Sequence, residues 1–125
     1  MPRVLIVDDS ASMRAFVRAA LEEPGLGSEQ LEVVEAASGF DALRLLPRGP
    51  YALVITDINM PDINGLELVR FIRDSETHKR TPLIIISTDG READRDRGMK
   101  LGANAYLTKP FEPEQLLKIV RSLLK

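Results

Sequence analysis

The sequence contains no cysteine and only one histidine. Without cysteine, the chain can form neither a disulfide framework nor a thiolate metal site. The single histidine, His78, has no second histidine with which to build a metal site. No second histidine is present to act as a phosphate-carrying imidazole either. Its charged surroundings, "SETHKRT", predict that this side chain faces solvent. The chemistry of this chain must therefore come from other residue types.

Long apolar runs and basic blocks are also absent. No apolar run approaches the roughly 18 residues of a membrane span, so we expect no membrane insertion. The formal net charge is −2, and no basic block is interleaved with aromatics, which argues against direct nucleic-acid binding. With 125 residues, 44% of them hydrophobic, we expect a single domain over residues 1–125. Because neither a membrane span nor a signal segment is recognised, we expect it in the cytoplasm. We also expect it to be a monomer.

Short apolar runs recur along the chain and are typical of buried strands. In chain order, the predicted strands are "VLIV", "LEVVEA", "YALVIT", "LIIIS" and "NAYLT". Each is separated from the next by a longer segment, and most of these segments carry apolar residues at helical spacing. No repeat, low-complexity segment or linker interrupts this order.

Five helices are predicted between and after these strands. Apolar stripes mark the first helix, at Met13, Phe16, Val17, Ala20 and Leu21, and the third, at Leu68, Phe71 and Ile72. The second helix is capped by Ser38 with Asp41 and is predicted to end at Pro47. The fourth is a charged helix from about Arg91 to Leu101, and Pro113 opens the fifth. Pro24 and Gly25 are predicted to stop the first helix. The alternation of strands and helices indicates an α/β fold with a parallel sheet covered on both faces.

Polar side chains follow four of the five predicted strands. Because the carboxyl ends of parallel strands meet at one edge of a sheet, we expect these side chains to converge. They are Asp8 and Asp9 after the first strand, Asp57 after the third, Ser87 and Thr88 at the end of the fourth, and Thr108 and Lys109 at the end of the fifth.

Three carboxylates at one edge repel one another unless a cation intervenes. A hard divalent ion with oxygen ligands resolves this repulsion, and Mg²⁺ commonly uses one or two carboxylates together with a phosphate oxygen. A neighbouring lysine supplies a point charge suited to phosphate, and an aspartate can form a covalent aspartyl-phosphate. The residues therefore predict a phosphoryl-transfer site with Mg²⁺, for which Mn²⁺ is an alternative ion.

Four fragments in this order carry a family resemblance: "VLIVDDSASMR", "DINMPDINGLEL", "LIIIST" and "GANAYLTKPF". The chain resembles the receiver domain of two-component response regulators, most closely the stand-alone chemotaxis (CheY-like) type. The resemblance implies a flavodoxin-like (βα)5 three-layer sandwich, with a five-stranded parallel sheet in the order 2-1-3-4-5. It also implies a cis peptide bond between Lys109 and Pro110.

The resemblance assigns a role to each site residue. Asp57 is implied as the phosphoacceptor and a metal ligand, Asp9 as a direct Mg²⁺ ligand, Asp8 as a ligand mainly through water, and Asn59 as a ligand through its backbone carbonyl. Ser87 is implied as the switch hydroxyl, Tyr106 as the aromatic that changes rotamer with it, and Lys109 as the phosphate partner. Met60 and Phe111 are interpreted as packing residues.

The same resemblance implies the partners. A histidine kinase is expected as the phosphodonor, and a protein target is expected on the face made by the fourth helix, the fifth strand and the fifth helix. The domain would catalyse only its own phosphoryl uptake and loss, without being a turnover enzyme. Thr88, where the family often has alanine, is expected to narrow the phosphoryl pocket, and Asn59 and Asp89 occupy positions that tune dephosphorylation.

Three alternatives stay open at this point. A haloacid-dehalogenase-like phosphatase also uses a strand-end aspartate, Mg²⁺ and lysine, but it needs an acid two residues after the nucleophile, where this chain has Asn59. A receiver excised from a longer response regulator or hybrid kinase would carry the same residues. A phosphorylation-independent docking pseudo-receiver would carry them without using them. Among signalling pathways we prefer chemotaxis, but the sequence does not establish it.

Overall fold

The computed structural model describes residues 2–22, 31–88 and 92–124. Within these ranges five strands alternate with five α-helices. The strands are β1 (Arg3–Val7), β2 (Glu32–Ala36), β3 (Leu53–Asp57), β4 (Leu83–Ser87) and β5 (Ala105–Thr108). The helices are α1 (Ala11–Leu21), α2 (Gly39–Leu45), α3 (Gly65–Asp74), α4 (Glu92–Leu101) and α5 (Pro113–Leu123).

The strands form one parallel sheet in the order β2-β1-β3-β4-β5, so the predicted fold class and strand order are confirmed. β3 lies at the centre and pairs with β1 on one side and β4 on the other. In this register Thr56 pairs with Val7, and Asp57 pairs with Ile86. The last residue of the central strand is therefore held within the sheet, next to the ends of both neighbouring strands.

Two hydrophobic clusters cover the two faces of the sheet and account for the apolar strands. Alternate residues of a strand point to opposite faces. On β1, Leu5 and Val7 belong to one cluster, whereas Val4 and Ile6 belong to the other. Because both faces are buried, the strands read as continuous apolar runs and not as alternating ones.

Local capping explains where the helices begin. The Ser10 hydroxyl accepts the amide of Met13 at the start of α1, and a capping box pairs Asn64 with Glu67 at the start of α3. The predicted Ser38 cap of α2 is present, with the Ser38 hydroxyl accepting the Asp41 amide. These side chains satisfy amide groups that have no partner within the helix.

Two sequence predictions differ from the structure, and a third is not tested by it. Pro47 does not close the second helix but lies inside a short 3-10 helix, Leu46–Arg48, which follows α2. Phe71 is 49% exposed, because α3 buries the face that carries Leu68 and Ile72 and leaves the ring at its margin. The predicted stop at Pro24 and Gly25 lies outside the described residues.

His78 was predicted to face solvent, and this prediction is wrong. The side chain is buried, with 6% of its surface exposed, and its ring centroid lies 6.5 Å from that of Tyr51. Charged neighbours in sequence do not determine exposure here, because the segment before β4 folds back over the residues that precede β3. Among the described residues, no helix combines the length and apolarity needed to cross a membrane.

Candidate functional site

Asp57 is held rigidly at the end of the central strand. All five residues of β3 are buried, and Asp57 itself is only 7% exposed. Its Oδ1 accepts the backbone amide of Ile58 at 2.8 Å, and the amide of Asn59 also donates to the carboxylate. These bonds leave the side chain little freedom, so the carboxylate has a fixed position at the edge of the sheet.

Two further acids meet Asp57 at this edge of the sheet. Asp8, Asp9 and Asp57 each offer a carboxylate oxygen within 4.8 Å of the others, with Asp8 and Asp57 buried and Asp9 exposed. Asp8 is tied down on both sides, because its amide donates to Ala36 O at 3.1 Å and its Oδ1 accepts the Ser10 amide at 2.9 Å. The convergence of carboxylates expected from the strand order is therefore present.

Lys109 extends from the end of β5 to the same place. Its Nζ lies 3.2 Å from Asp8 Oδ2 and 3.6 Å from Asp57 Oδ2. Its backbone amide donates to Ser87 O at 2.7 Å, which fixes the chain beside β4. The Lys109–Pro110 peptide bond is cis, as predicted, and so is Gly49–Pro50, which was not predicted. One ammonium group thus lies between two buried carboxylates.

The pKa of Asp57 is raised above its ordinary value. Burial is the main cause, and the neighbouring Asp8 charge adds to the rise. The Lys109 ammonium and the amides of Ile58 and Asn59 lower the pKa and only partly offset the burial. A buried carboxylate that is incompletely neutralised by one lysine is suited to bind a further cation.

The donor set fits a divalent metal ion. Mg²⁺ prefers oxygen ligands and commonly takes one or two carboxylates while keeping waters, and an exposed acid such as Asp9 leaves room for them. Asp8 and Asp57, which both lie near Lys109, would supply the other carboxylate oxygens around the ion. Asn59 is exposed at the start of the loop that follows β3, and its carbonyl stays a predicted ligand.

The remaining predicted residues lie on β4 and β5. Ser87 is fully buried at the end of β4, and the next residue, Thr88, is exposed at the edge where the acids converge. Tyr106 is 8% exposed, so its ring is turned inward. Gly98 of α4 lies close to β4 beside this ring: a Cβ at residue 98 would lie only 2.7 Å from Ile85 Cδ1, and 3.8 Å from Tyr106 Cδ2, an ordinary contact distance.

Packing residues and one predicted tuning residue complete the set. Phe111 is buried and its ring meets Phe16 edge to face at 5.5 Å, while Met60 packs against the core cluster, so both packing interpretations are confirmed. Asp89 lies outside the described residues, and its tuning role stays a prediction.

Two residues beside the site were missed by the sequence reasoning. Arg14 of α1 donates from Nη1 to the backbone carbonyl of Asp8 at 2.6 Å. Asp62, in the loop after β3, accepts the amides of Gly39 and Phe40 at the start of α2. Neither contact follows from local sequence, because each joins elements whose relative placement is known only from the fold.

Comparison with known proteins shows what this chain is similar to. The family model described as "Response regulator receiver domain" matches residues 4–121. A chemotaxis protein CheY homolog of Campylobacter jejuni is 37% identical over 98% of this chain and 92% of its own length. The transcriptional regulatory protein SrrA of Staphylococcus aureus is 33% identical over 98% of this chain but only 47% of its own length.

Among solved structures, the chemotaxis response regulator CheY4 of Vibrio cholerae is similar along its entire length. It is 36% identical, superposes with a TM-score of 0.87, and the match covers 99% of each chain. The sequence matches and the fold match therefore agree. The chain belongs to the response regulator receiver domain family.

Proposed function

We propose that the chain is a phosphorylation-controlled signalling switch, in which Asp57 accepts a phosphoryl group from a partner histidine kinase. One observation carries this proposal: Lys109 Nζ lies between the carboxylates of Asp8 and Asp57, at 3.2 and 3.6 Å. A lysine at this position neutralises the acids before transfer and is within reach of a phosphoryl group attached to Asp57 afterwards.

The transfer uses Asp57 as the nucleophile. One carboxylate oxygen attacks phosphorus, a new O–P bond forms, and the bond from phosphorus to the donor breaks. With phosphohistidine as donor the leaving group is an imidazole, which takes up a proton; with acetyl phosphate it is acetate. The Ile58 and Asn59 amides and the rigid end of β3 hold the attacking group in place.

The acids around Asp57 support a divalent ion during this step. When bound, Mg²⁺ supplies positive charge next to the transferring phosphoryl oxygens. Asp8 and Asp9 would hold it with Asp57 and the carbonyl of Asn59, and Mn²⁺ has the same ligand preference. Lys109 offsets charge on another phosphoryl oxygen. Removal of the phosphoryl group by water would return the domain to its starting state.

Phosphorylation would change the conformation of residues on β4 and β5. Ser87 lies at the end of β4, and its backbone carbonyl already accepts the amide of Lys109. A shift of the Ser87 hydroxyl toward the phosphoryl group would favour a different rotamer of Tyr106, which lies beneath α4 at Gly98. The face made by α4, β5 and α5 would then bind a protein target differently in the two states.

Intact-protein mass spectrometry after incubation with acetyl phosphate and Mg²⁺ tests the proposal. The wild type should gain a phosphate-sized mass, and the gain should disappear with EDTA and in Asp57→Ala. Lys109→Ala and Ser87→Ala keep the nucleophile, so both should leave Asp57 chemically available while altering the response of α4. A wild type without any mass gain would overturn the proposal.

A true phosphatase is the competing activity, and Asn59 argues against it. A dehalogenase-type enzyme needs an acid at this position, whereas this chain has an amide. Turnover of p-nitrophenyl phosphate with Mg²⁺ would support the phosphatase. We expect none beyond the background of Asp57→Ala.

The pathway is proposed to be of the chemotaxis type. This follows from the similarity to the Campylobacter jejuni CheY homolog and to Vibrio cholerae CheY4 over nearly whole chains. The alternative is a receiver of a transcriptional regulator, because SrrA matches this chain as well. Phosphotransfer rates from the source organism's histidine kinases decide between them: fastest transfer from a chemotaxis kinase supports the first, and fastest transfer from a sensor kinase supports the second.

A further inference from the structure

Arg14 connects the edge strand of the sheet to the segment that carries the first two acids. Its Nε donates to Glu35 Oε1 at 3.0 Å, and its Nη1 donates to the carbonyl oxygen of Asp8 at 2.6 Å. The side chain is 16% exposed, so the guanidinium is mostly shielded from competing water. One planar group thus bonds β2 and the end of β1 at the same time.

The bond to Asp8 acts on the peptide unit between the two acids. The Asp8 carbonyl and the Asp9 amide share one planar peptide group, so fixing the carbonyl also fixes the direction in which the chain enters Asp9. Asp8 needs little further help, since its carboxylate is already held by the Ser10 amide and Lys109. Asp9 is exposed, and its placement depends on this peptide plane.

Glu35 in turn orients Arg14. Its Oε1 accepts from Arg14, and its Oε2 accepts from Arg18 Nε at 2.9 Å and lies 2.8 Å from Arg18 Nη2. Arg18 also donates to Val33 O at 3.3 Å. Arg18 therefore shares the carboxylate partner of Arg14 and lies one helical turn further along α1, but its hydrogen bonds lead to β2 and not to Asp8.

We infer that Arg14 is a positioning residue for the metal site: it fixes the Asp8–Asp9 peptide so that the Asp9 carboxylate faces the ion beside that of Asp8. The inference rests on the proposed function, which supplies the ion. Partners that orient metal ligands typically change metal affinity by 10–100-fold when they are removed, and we expect about tenfold weaker Mg²⁺ binding without Arg14.

The sign of the effect separates positioning from charge. Arg14 is a cation near a cation site, so its removal would strengthen Mg²⁺ binding if only Coulomb repulsion mattered. Positioning predicts the opposite, weaker binding. Arg14→Lys separates the two effects further. Lysine keeps the positive charge but lacks the planar guanidinium that bonds Glu35 and the Asp8 carbonyl at the same time.

The experiment measures metal affinity directly on the unphosphorylated protein. Mg²⁺ is titrated by NMR on the Asp9 amide, and Mn²⁺ by EPR, for wild type, Arg14→Met, Arg14→Lys and the matched control Arg18→Met. Urea unfolding of each variant confirms that it is folded under the titration conditions. We expect about tenfold weaker binding in both Arg14 variants and unchanged or slightly tighter binding in Arg18→Met.

Each other outcome overturns a defined statement. Unchanged or tighter binding in the Arg14 variants contradicts the positioning role, and so does equal weakening in Arg14→Met and Arg18→Met, which would assign the effect to the Glu35 ion pairs in general. If Arg14→Met does not fold, Arg14→Lys alone decides, because unchanged binding there contradicts the inference. A wild type that binds neither ion contradicts the proposed function itself.

Discussion

The missing side chain of Gly65 makes room for the backbone of Asp57. A Cβ at residue 65 would lie 2.0 Å from the carbonyl oxygen of Asp57 and 2.8 Å from Ile58 Cα. The Gly65 amide donates to Ile58 O at 2.8 Å, so the first turn of α3 is bonded directly to the chain that leaves β3. The close approach of this helix fixes the backbone on which the proposed nucleophile stands.

Gly65→Ala should therefore be strongly destabilising. The atoms in the way belong to the backbone and cannot rotate aside, so the free energy of unfolding should fall by about 1–3 kcal/mol, as in other overpacked sites. Urea denaturation measures this change, with Lys118→Ala on the exposed face of α5 as the control. A Gly65→Ala variant as stable as the control would mean that α3 can move away from Asp57 without cost.

Asp57→Asn should raise the stability of the metal-free domain at neutral pH. The pKa of Asp57 is raised by burial, so the folded state favours the protonated acid more than the unfolded state does. The stability that the protonated Asp57 contributes to the folded state is complete below the ordinary pKa of 3.8. This stability is lost as pH rises through the raised pKa of the folded state.

Thermal unfolding in EDTA across this pH range measures the effect. The gain in Tm of Asp57→Asn over wild type should be smallest at low pH and should grow to a plateau near neutrality. A gain that is largest at low pH would contradict the raised pKa.

Asp62 should show the opposite pH dependence. The amide of Phe40, together with those of Ile63 and Gly39, lowers the pKa of Asp62 to about 2. The ionised Asp62 therefore stabilises the folded state fully above its ordinary pKa of 3.8, and this stabilisation is lost as pH falls toward about 2. Asp62→Asn should therefore lower the Tm at neutral pH, and the deficit should shrink below pH 3.8. A constant deficit would assign the effect to lost hydrogen bonds without charge.

His78 should tolerate an apolar replacement of similar volume. Among the described residues its buried Nδ1 has no hydrogen-bond partner, and such a group costs about 1–3 kcal/mol. His78→Leu should keep or raise the free energy of unfolding, whereas His78→Ala should lower it by about 2–5 kcal/mol through the cavity it leaves. A comparable loss in both variants would show that the imidazole makes a bond that leucine cannot replace.

The sequence predicted the elements that depend on local chemistry. Apolar runs between caps placed the strands, and the parallel order placed Asp8, Asp57 and Lys109 at one edge, because strand ends in such a sheet have only one place to meet. Asp57 could be recognised because a run of strand-forming residues, Ala52 to Thr56, ends on an acid that a buried strand does not otherwise need.

Contacts between distant segments escaped prediction for a physical reason. The charge pattern around His78 describes its neighbours in sequence, whereas its burial depends on Tyr51 and the turn before β3. Likewise, Arg14 reads as an exposed helical cation until Glu35 and the Asp8 carbonyl are placed around it. Such roles become visible only with the relative placement of α1, β1 and β2.

Localising the phosphoryl group on the chain tests the central claim most directly. Protein treated with acetyl phosphate and Mg²⁺ is reduced with borohydride, which converts an acyl-phosphorylated aspartate to homoserine, and the digested peptides are analysed by tandem mass spectrometry. The account predicts conversion at residue 57, with Asp8 and Asp9 unmodified and no conversion in the presence of EDTA. Conversion at Asp8 or Asp9, or an unmodified Asp57 in protein that carries phosphate, would contradict it.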